Sequence, residues 1–473
     1  MGDTVFERRP PATSAVERAL EGSRQGVFWL DDLGVRDTHE SLAGDTTTDL
    51  LIVGGGYTGL WTALRALERD PSLRVTVVEA KTIGWAASGR NGGFVEASLT
   101  HGSENGARRW PDELVELERL GVENLDGIEQ TVARYALDCE FERTGYLSVA
   151  VEPHQVPWLE ESDGEGGARF LGQDEMRGLV NSPTYLAGLS VPPRDSALVH
   201  PAKLAAELAR VVQELGGTIH ENTLVRGIEK AGGGVSVRTS GGTVTAQQVV
   251  LGTNAFPSLL ARNRLMTVPV YDYVLMTEPL TAAQKADIGW EGRQGIGDLA
   301  NQFHYYRQSA DNRILWGGYD AVYHSGGKIR PEYERRPESF RKLASHFLTT
   351  FPQLEGIRFS HTWAGVIDTS TQFSAFFGTA FGGRVAYAAG FTGLGVGATR
   401  FAADVMLDLL SGEETERTRL EMVRKRPLPF PPEPAASIGV NATRWSLDRA
   451  DHNDGRRNVL LKTLDALGLG FDS

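Results

Sequence analysis

Residues 51–60 read LIVGGGYTGL, and this stretch restricts the fold more tightly than any other in the chain. The apolar run 49–53 predicts a short strand buried on both faces. Gly54, Gly56 and Gly59 follow it as GxGxxG. Leu60, Leu64 and Leu67 share a helical face, so a helix is expected from about Thr58 to Arg69, stopped by Asp70-Pro71. RVTVVEA at 74–80 then reads as a second strand, with Glu79 at its end. A lone GxGxxG is a weak signal. With a strand before it, a helix after it and an acid ending the next strand, it specifies a dinucleotide cradle. The glycines allow a tight turn, and the helix start at Tyr57 and Thr58 faces a pyrophosphate. Glu79, with Ala80 beside it, is placed to accept from ribose hydroxyls.

Three further stretches favour FAD over NAD. GWAASGRNGGF (84–94) is a second permissive loop straight after Glu79, which an NAD dehydrogenase does not need. A meander of short strands ends in VVLGTNAF (249–256) and returns the chain to the nucleotide through Thr253 and Asn254. AYAAGFTGLGVGATRF (386–401) repeats strand, glycine loop and helix. A helix starting near Thr399 would point its positive end at the flavin's pyrimidine edge.

Composition removes other classes. Of 473 residues, 48 are basic and 61 acidic, a net charge of −13, which argues against nucleic acid or an anionic membrane as partner. One cysteine, Cys139, excludes an intrachain disulfide and a multi-cysteine metal cluster, and the ten histidines show no HxH or HExxH spacing, so no metal is expected. The first twenty residues lack the apolar run of a secretory signal. No stretch of about 18 apolar residues exists, so no transmembrane helix is expected. A cytoplasmic setting follows by default. The oligomeric state is not readable.

LIVGGGYTGL, GWAASGRNGGF, DCEFERTGYLSVA, VVLGTNAF and the glycine-rich 388–410 segment together resemble the FAD-dependent D-amino-acid oxidase and glycine/sarcosine oxidase superfamily. Within it the chain is most similar to the gamma-glutamylputrescine oxidoreductase-like group. The resemblance implies an α/β fold, with a Rossmann-type FAD domain and a substrate domain of antiparallel sheet plus helices. Residues 1–105, 190–262 and 358–473 are assigned to the first, and 106–189 and 263–357 to the second. It also implies that Ser88, Arg90, Asn91 and Gly92 wrap the pyrophosphate and pass beside the isoalloxazine, with Arg90 offsetting phosphate charge. Val225 is expected near the adenine. Gly390, Thr392, Gly393, Leu394 and Gly395 are expected at the flavin ring. The reaction implied is hydride transfer from a carbon bonded to nitrogen, with the imine hydrolysed afterwards and O2 or another acceptor taking the electrons.

The substrate is less defined. Relatives that take amino acids often hold the carboxylate with an arginine before the last flavin loop. Here that segment, HTWAGVIDTSTQFSAFFG, offers Asp368 and no arginine. This favours a cationic small-molecule amine or diamine derivative over an N-methylated or D-amino acid. Tyr271 and Tyr273 share one strand face, as do His304 and Tyr306. With Trp316 and Trp363 they are candidates for an aromatic wall against an alkylammonium group, and packing alone would also account for them. No catalytic base is identified. FAD is expected to be non-covalent, because Cys139 lies far from the flavin motifs and seven residues separate His101 from Gly93. An NAD(P)H-linked flavin reductase would need a second GxGxxG with its own acid and a cysteine pair, which the chain lacks. A flavin-binding role without catalysis is the remaining alternative.

Overall fold

The apolar run at 49–53 is the buried end of the strand Thr46–Val53, which lies inside a mixed sheet. Val75–Val78 pairs with it in parallel on one side and Thr243–Leu251 on the other. Thr218–His220 extends the sheet past Val75–Val78. Thr243–Leu251 is long enough to serve two partners on its other edge. Its first half pairs with the antiparallel hairpin Val225–Thr239, and its second half pairs in parallel with Val385–Ala389. Parallel neighbours require crossovers. The helices Tyr57–Arg69, Pro201–Glu214 and Gly395–Ser411 pack on one face, and the hairpin's Val235 and Val237 cover Leu51 and Val249 on the other. This computed structural model describes residues 2–36 and 38–470.

Among these residues a second sheet of nine strands, mostly antiparallel, faces the first domain. Its longest pair joins Thr267–Thr277 to Phe359–Ser370, with Tyr271 opposite Val366 and Pro269 opposite Asp368. The helix Pro337–Thr350 packs beneath it through Phe340, Leu343 and Phe347.

The structure moves two boundaries and adds one helix. Residues 358–370, assigned from sequence to the nucleotide side, belong to the larger sheet because they pair with Thr267–Thr277. The helix Leu114–Arg134, assigned to the substrate side, buries Leu117, Leu125 and Ile128 in the nucleotide-domain core. Asn124 there donates to Gly397 O at 2.9 Å. After the proline-rich stretch 427–434 lies a helix that sequence reading missed, Ala435–Asp451, followed by a last helix at Val459–Ala466. Its inward positions include Ala436, Gly439 and Thr443, which give little hydrophobic periodicity to read.

Candidate functional site: a flavin cradle and a capped cavity

The cradle is made of backbone brought close together. Gly54 takes φ +114°, and a Cβ on it would lie 2.5 Å from Gly252 O. A Cβ on Gly59 would lie 1.9 Å from Gly54 O, so the helix sits directly on the turn. Glu79 closes the far end. Its carboxylate accepts from Gly55 N, Lys81 N and Trp85 Nε1, each at 2.8 Å. Thr223 N donates to Glu79 O at 2.7 Å, which brings the segment leading to Val225 alongside. Ser88 Oγ accepts from Tyr57 N at 2.9 Å, tying the second loop to the helix start. No side chain of the preceding residue caps that helix, and a Cβ on Gly56 would meet Ser88 Oγ at 2.9 Å. A helix start with no cap from its preceding residue, and with a small serine hydroxyl against its first N–H, fits a pyrophosphate.

The SGRNGG loop is clamped between the two sheets by indole N–H groups. Trp29 donates to Asn91 O at 2.9 Å, and Trp363 donates to Arg90 O at 2.8 Å. Asn91 staples the loop internally, donating to Ala87 O and Ser88 O at 3.0 Å and accepting from Gly93 N at 2.8 Å. Arg90 departs from expectation. Its guanidinium pairs with Glu334 at 2.7 Å and donates to Trp85 O and Ala364 O, so its charge is engaged away from a phosphate.

The last glycine loop is held from below by Asp368. Its carboxylate accepts from Gly390 N at 2.5 Å and from Asn254 Nδ2 at 3.3 Å. Burial pushes this carboxyl up to about 7, against the pull of the loop's N–H groups. Asp368 therefore braces the last glycine loop and is not among the residues that line the cavity, where the sequence expectation put it. The helix that follows begins at Gly395, four residues before the expected start at Thr399, and Gly393, Leu394 and Val396 at its start line a cavity.

That cavity, of about 700 Å³, lies between the SGRNGG loop, the last glycine loop and the larger sheet. Val268, Val270 and Asp272 line it from one strand, and Gly365, Ile367 and Thr369 from its partner. The expected aromatic wall is on the opposite face. Tyr271, Tyr273, Tyr306, Trp316 and His304 are buried, the first four in the core with Phe347 of the helix Pro337–Thr350. Tyr273 Oη donates to Tyr333 O at 2.7 Å, and His304 bridges Asp298 at 2.6 Å and His346 at 2.9 Å, while the Trp316 indole N–H is buried without a partner. Trp363 packs with Trp29 in the loop clamp. Sequence spacing identified residues sharing a face but not which face met the cavity.

Arg90, Asn91, Thr392 and Leu394 do face it, but its acids were missed. Asp272, the lone acid in PVYDYVLM, accepts a hydrogen bond from Tyr305 Oη. Burial pushes the Asp272 carboxyl up to about 6, while hydrogen bonds from Tyr305 and from the Gly318 and Tyr273 backbone pull it down. Glu96 also lines the cavity, and burial raises its carboxyl. His101 lines it too, and burial disfavours its charged form. Two arginines reach the wall, Arg90 and Arg444, and each is paired with an acid, Glu334 at 2.7 Å and Asp320 at 3.3 Å.

The family model for FAD dependent oxidoreductase matches residues 49–409, about three quarters of the chain. The chain belongs to the FAD-dependent oxidoreductase family. FAD is the cofactor, and the residues just described fit it. The gamma-glutamylputrescine oxidoreductase of Escherichia coli (strain K12) is 30% identical over 390 residues, covering 79% of this chain and 86% of that protein. A probable oxidoreductase OrdL of Haemophilus influenzae is 27% identical over 380 residues, covering 77% and 83%. Among solved structures, glycine oxidase from Geobacillus kaustophilus superposes with a TM-score of 0.65 at 20% identity, over 80% of this chain and 99% of that one. L-amino acid deaminase from Proteus vulgaris gives 0.63 at 17% identity, over 83% and 100%. This oxidoreductase is thus of the amine and amino-acid oxidase type. No helix among its described residues is long and apolar enough to cross a membrane. The second strand–glycine–helix unit pairs into the same sheet as the first, so the two serve one nucleotide domain.

Proposed function

We propose that this enzyme oxidises the C–N bond of a cationic amine in preference to an amino acid. The observation that carries this reading is the charge of the cavity wall: Asp272 and Glu96 face it, while Arg90 and Arg444 are each paired with an acid. An amino acid's carboxylate would have to displace Glu334 or Asp320 to find a cation, whereas an ammonium group meets acids directly. The gamma-glutamylputrescine oxidoreductase relative supports the same substrate class. FAD, when bound, takes two electrons and the hydrogen from the carbon beside nitrogen. The chain must first relieve that nitrogen of its proton. A carboxylate with its pKa raised to about 6 is a better proton acceptor than an ordinary one, and Tyr305 fixes its direction. Apolar neighbours such as Val270 and Ile367 exclude water around it.

Anaerobic mixing with a panel of amines, diamines, N-methylated and D-amino acids tests this reading. Amines are expected to bleach the flavin at the lowest concentrations. Bleaching by amino acids alone would overturn it, and oxygen uptake in air separates O2 from another acceptor. We also propose that FAD is non-covalent, since Cys139 is buried in the helix-covered core. Acid precipitation should then leave the yellow colour in solution, and colour in the pellet would point to His101.

A further inference from the structure

The family model ends at residue 409, yet the cavity does not. Its outer wall is built by the segment 428–469, which the oxidase motifs do not include. Leu428, Phe430, Val440, Leu447 and Leu464 face the cavity from this segment. The segment is bolted down at several places. Thr371 Oγ1 donates to Leu428 O at 2.8 Å, and Phe430 N donates to Leu265 O at 2.7 Å. Asp451 accepts from Asn301 N at 2.8 Å and Gln302 N at 3.1 Å, on a turn of the larger sheet that also lines the cavity. Arg444 is fastened to Asp320. The cavity is therefore polarised: acids and a tyrosine near the flavin loops, and a mainly apolar ceiling in which Arg444 is the charged side chain, held by Asp320.

We propose that residues 428–469 are a specificity-determining cap, and that the amine admitted carries an uncharged, apolar tail remote from the reacting nitrogen. This rests on the amine reading above and narrows it. A tail ending in carboxylate or ammonium would desolvate a charge against Leu428, Val440 and Leu464, which offer it no partner. An alkyl or aryl tail gains from the same surface.

The test uses n-alkyltrimethylammonium ions, which carry the charge but have no N–H proton to lose. Their Kd for the FAD-loaded enzyme is read from the perturbation of the flavin spectrum, from ethyl to hexyl. Kd is expected to fall about threefold to fourfold for each added methylene. Val440→Asp and Leu464→Asp should flatten that dependence, and the milder Val440→Thr and Leu464→Gln should weaken it if the aspartates fail to fold. Ile438 is on the exposed face of the same helix, and Ile438→Asp should keep the full dependence. A flat dependence in the unaltered enzyme, a dependence that survives the cap substitutions, or tighter binding of chains ending in a second charge would each overturn the proposal. Failure of the amine reading is separately visible: the substrate panel would then be bleached only by amino acids, whatever the chain-length dependence.

Discussion

At Gly59 the structure depends on a side chain that is missing; at Asp272 it depends on which of two faces a side chain takes. The nucleotide end is backbone against backbone, with a would-be Cβ at Gly59 1.9 Å from Gly54 O. The cavity end is side chains on a strand whose alternate residues, Tyr271 and Tyr273, go to the core while Val270 and Asp272 go to the cavity. The first arrangement follows from sequence-local constraints. The second changes wholesale with a one-residue shift of register. Substitutions at the two ends should therefore fail differently, with loss of cofactor at one and loss of turnover at the other.

The largest effect is expected at the cradle. Gly56→Val puts a branched side chain where even a Cβ lies 2.9 Å from Ser88 Oγ. FAD binding should weaken by about a hundredfold, the upper range for an overpacked site, and the purified protein should be colourless. A normal flavin-to-protein ratio would show that the cradle is not where the pyrophosphate lies.

The two buried aspartates sharpen the contrast. Asp272→Asn removes the charge facing the cavity and should lower kcat/KM for amines by about tenfold to a hundredfold, the worth of a hydrogen bond to a charged group. Asp368→Asn should instead lower FAD retention, because the carboxylate accepts from Gly390 N and Asn254 Nδ2. It should leave the preference among amines as it was. If the Asp368 variant alone changed substrate preference with full flavin content, the assignment of faces would be reversed.

Tyr305→Phe probes protonation. The Tyr305 hydroxyl lowers the pKa of Asp272 against the larger effect of burial. Its removal should move that carboxyl above about 6, so the acid limb of the kcat profile should shift to higher pH. An unmoved limb would mean that Asp272 does not titrate during turnover. The smallest effect belongs to the core face of the same strand. Tyr271→Phe removes hydroxyl bonds to the Arg330 backbone. It should cost about 1 kcal/mol of stability in denaturant melts with kcat/KM within about twofold. A large drop in turnover would place Tyr271 at the substrate after all.

Much of the first domain was legible because it is local. The strand, the three glycines, the helix and Glu79 fall within thirty-one residues, 49–79, and each is demanded by steric fit along the chain. Asn91 was legible as a loop residue; its role in holding Gly93 N and two carbonyls was not. Arg90 was read as a phosphate partner because its charge is visible in sequence and Glu334, 244 positions away, is not visible as its neighbour.

By itself, then, the sequence determined the cofactor and its cradle, since a backbone that must approach a pyrophosphate leaves glycines at fixed spacing. Only the tertiary structure decided the substrate side. The helix Pro337–Thr350 claimed the tyrosine face of Thr267–Thr277 for the core, leaving Asp272 and Val270 to the cavity. The segment 428–469 became a ceiling only by folding back across 124 to 150 positions onto Asn301, Gln302 and Asp320. Alternation along a strand is a property of the chain, but the choice of inward face is made by whatever packs against it.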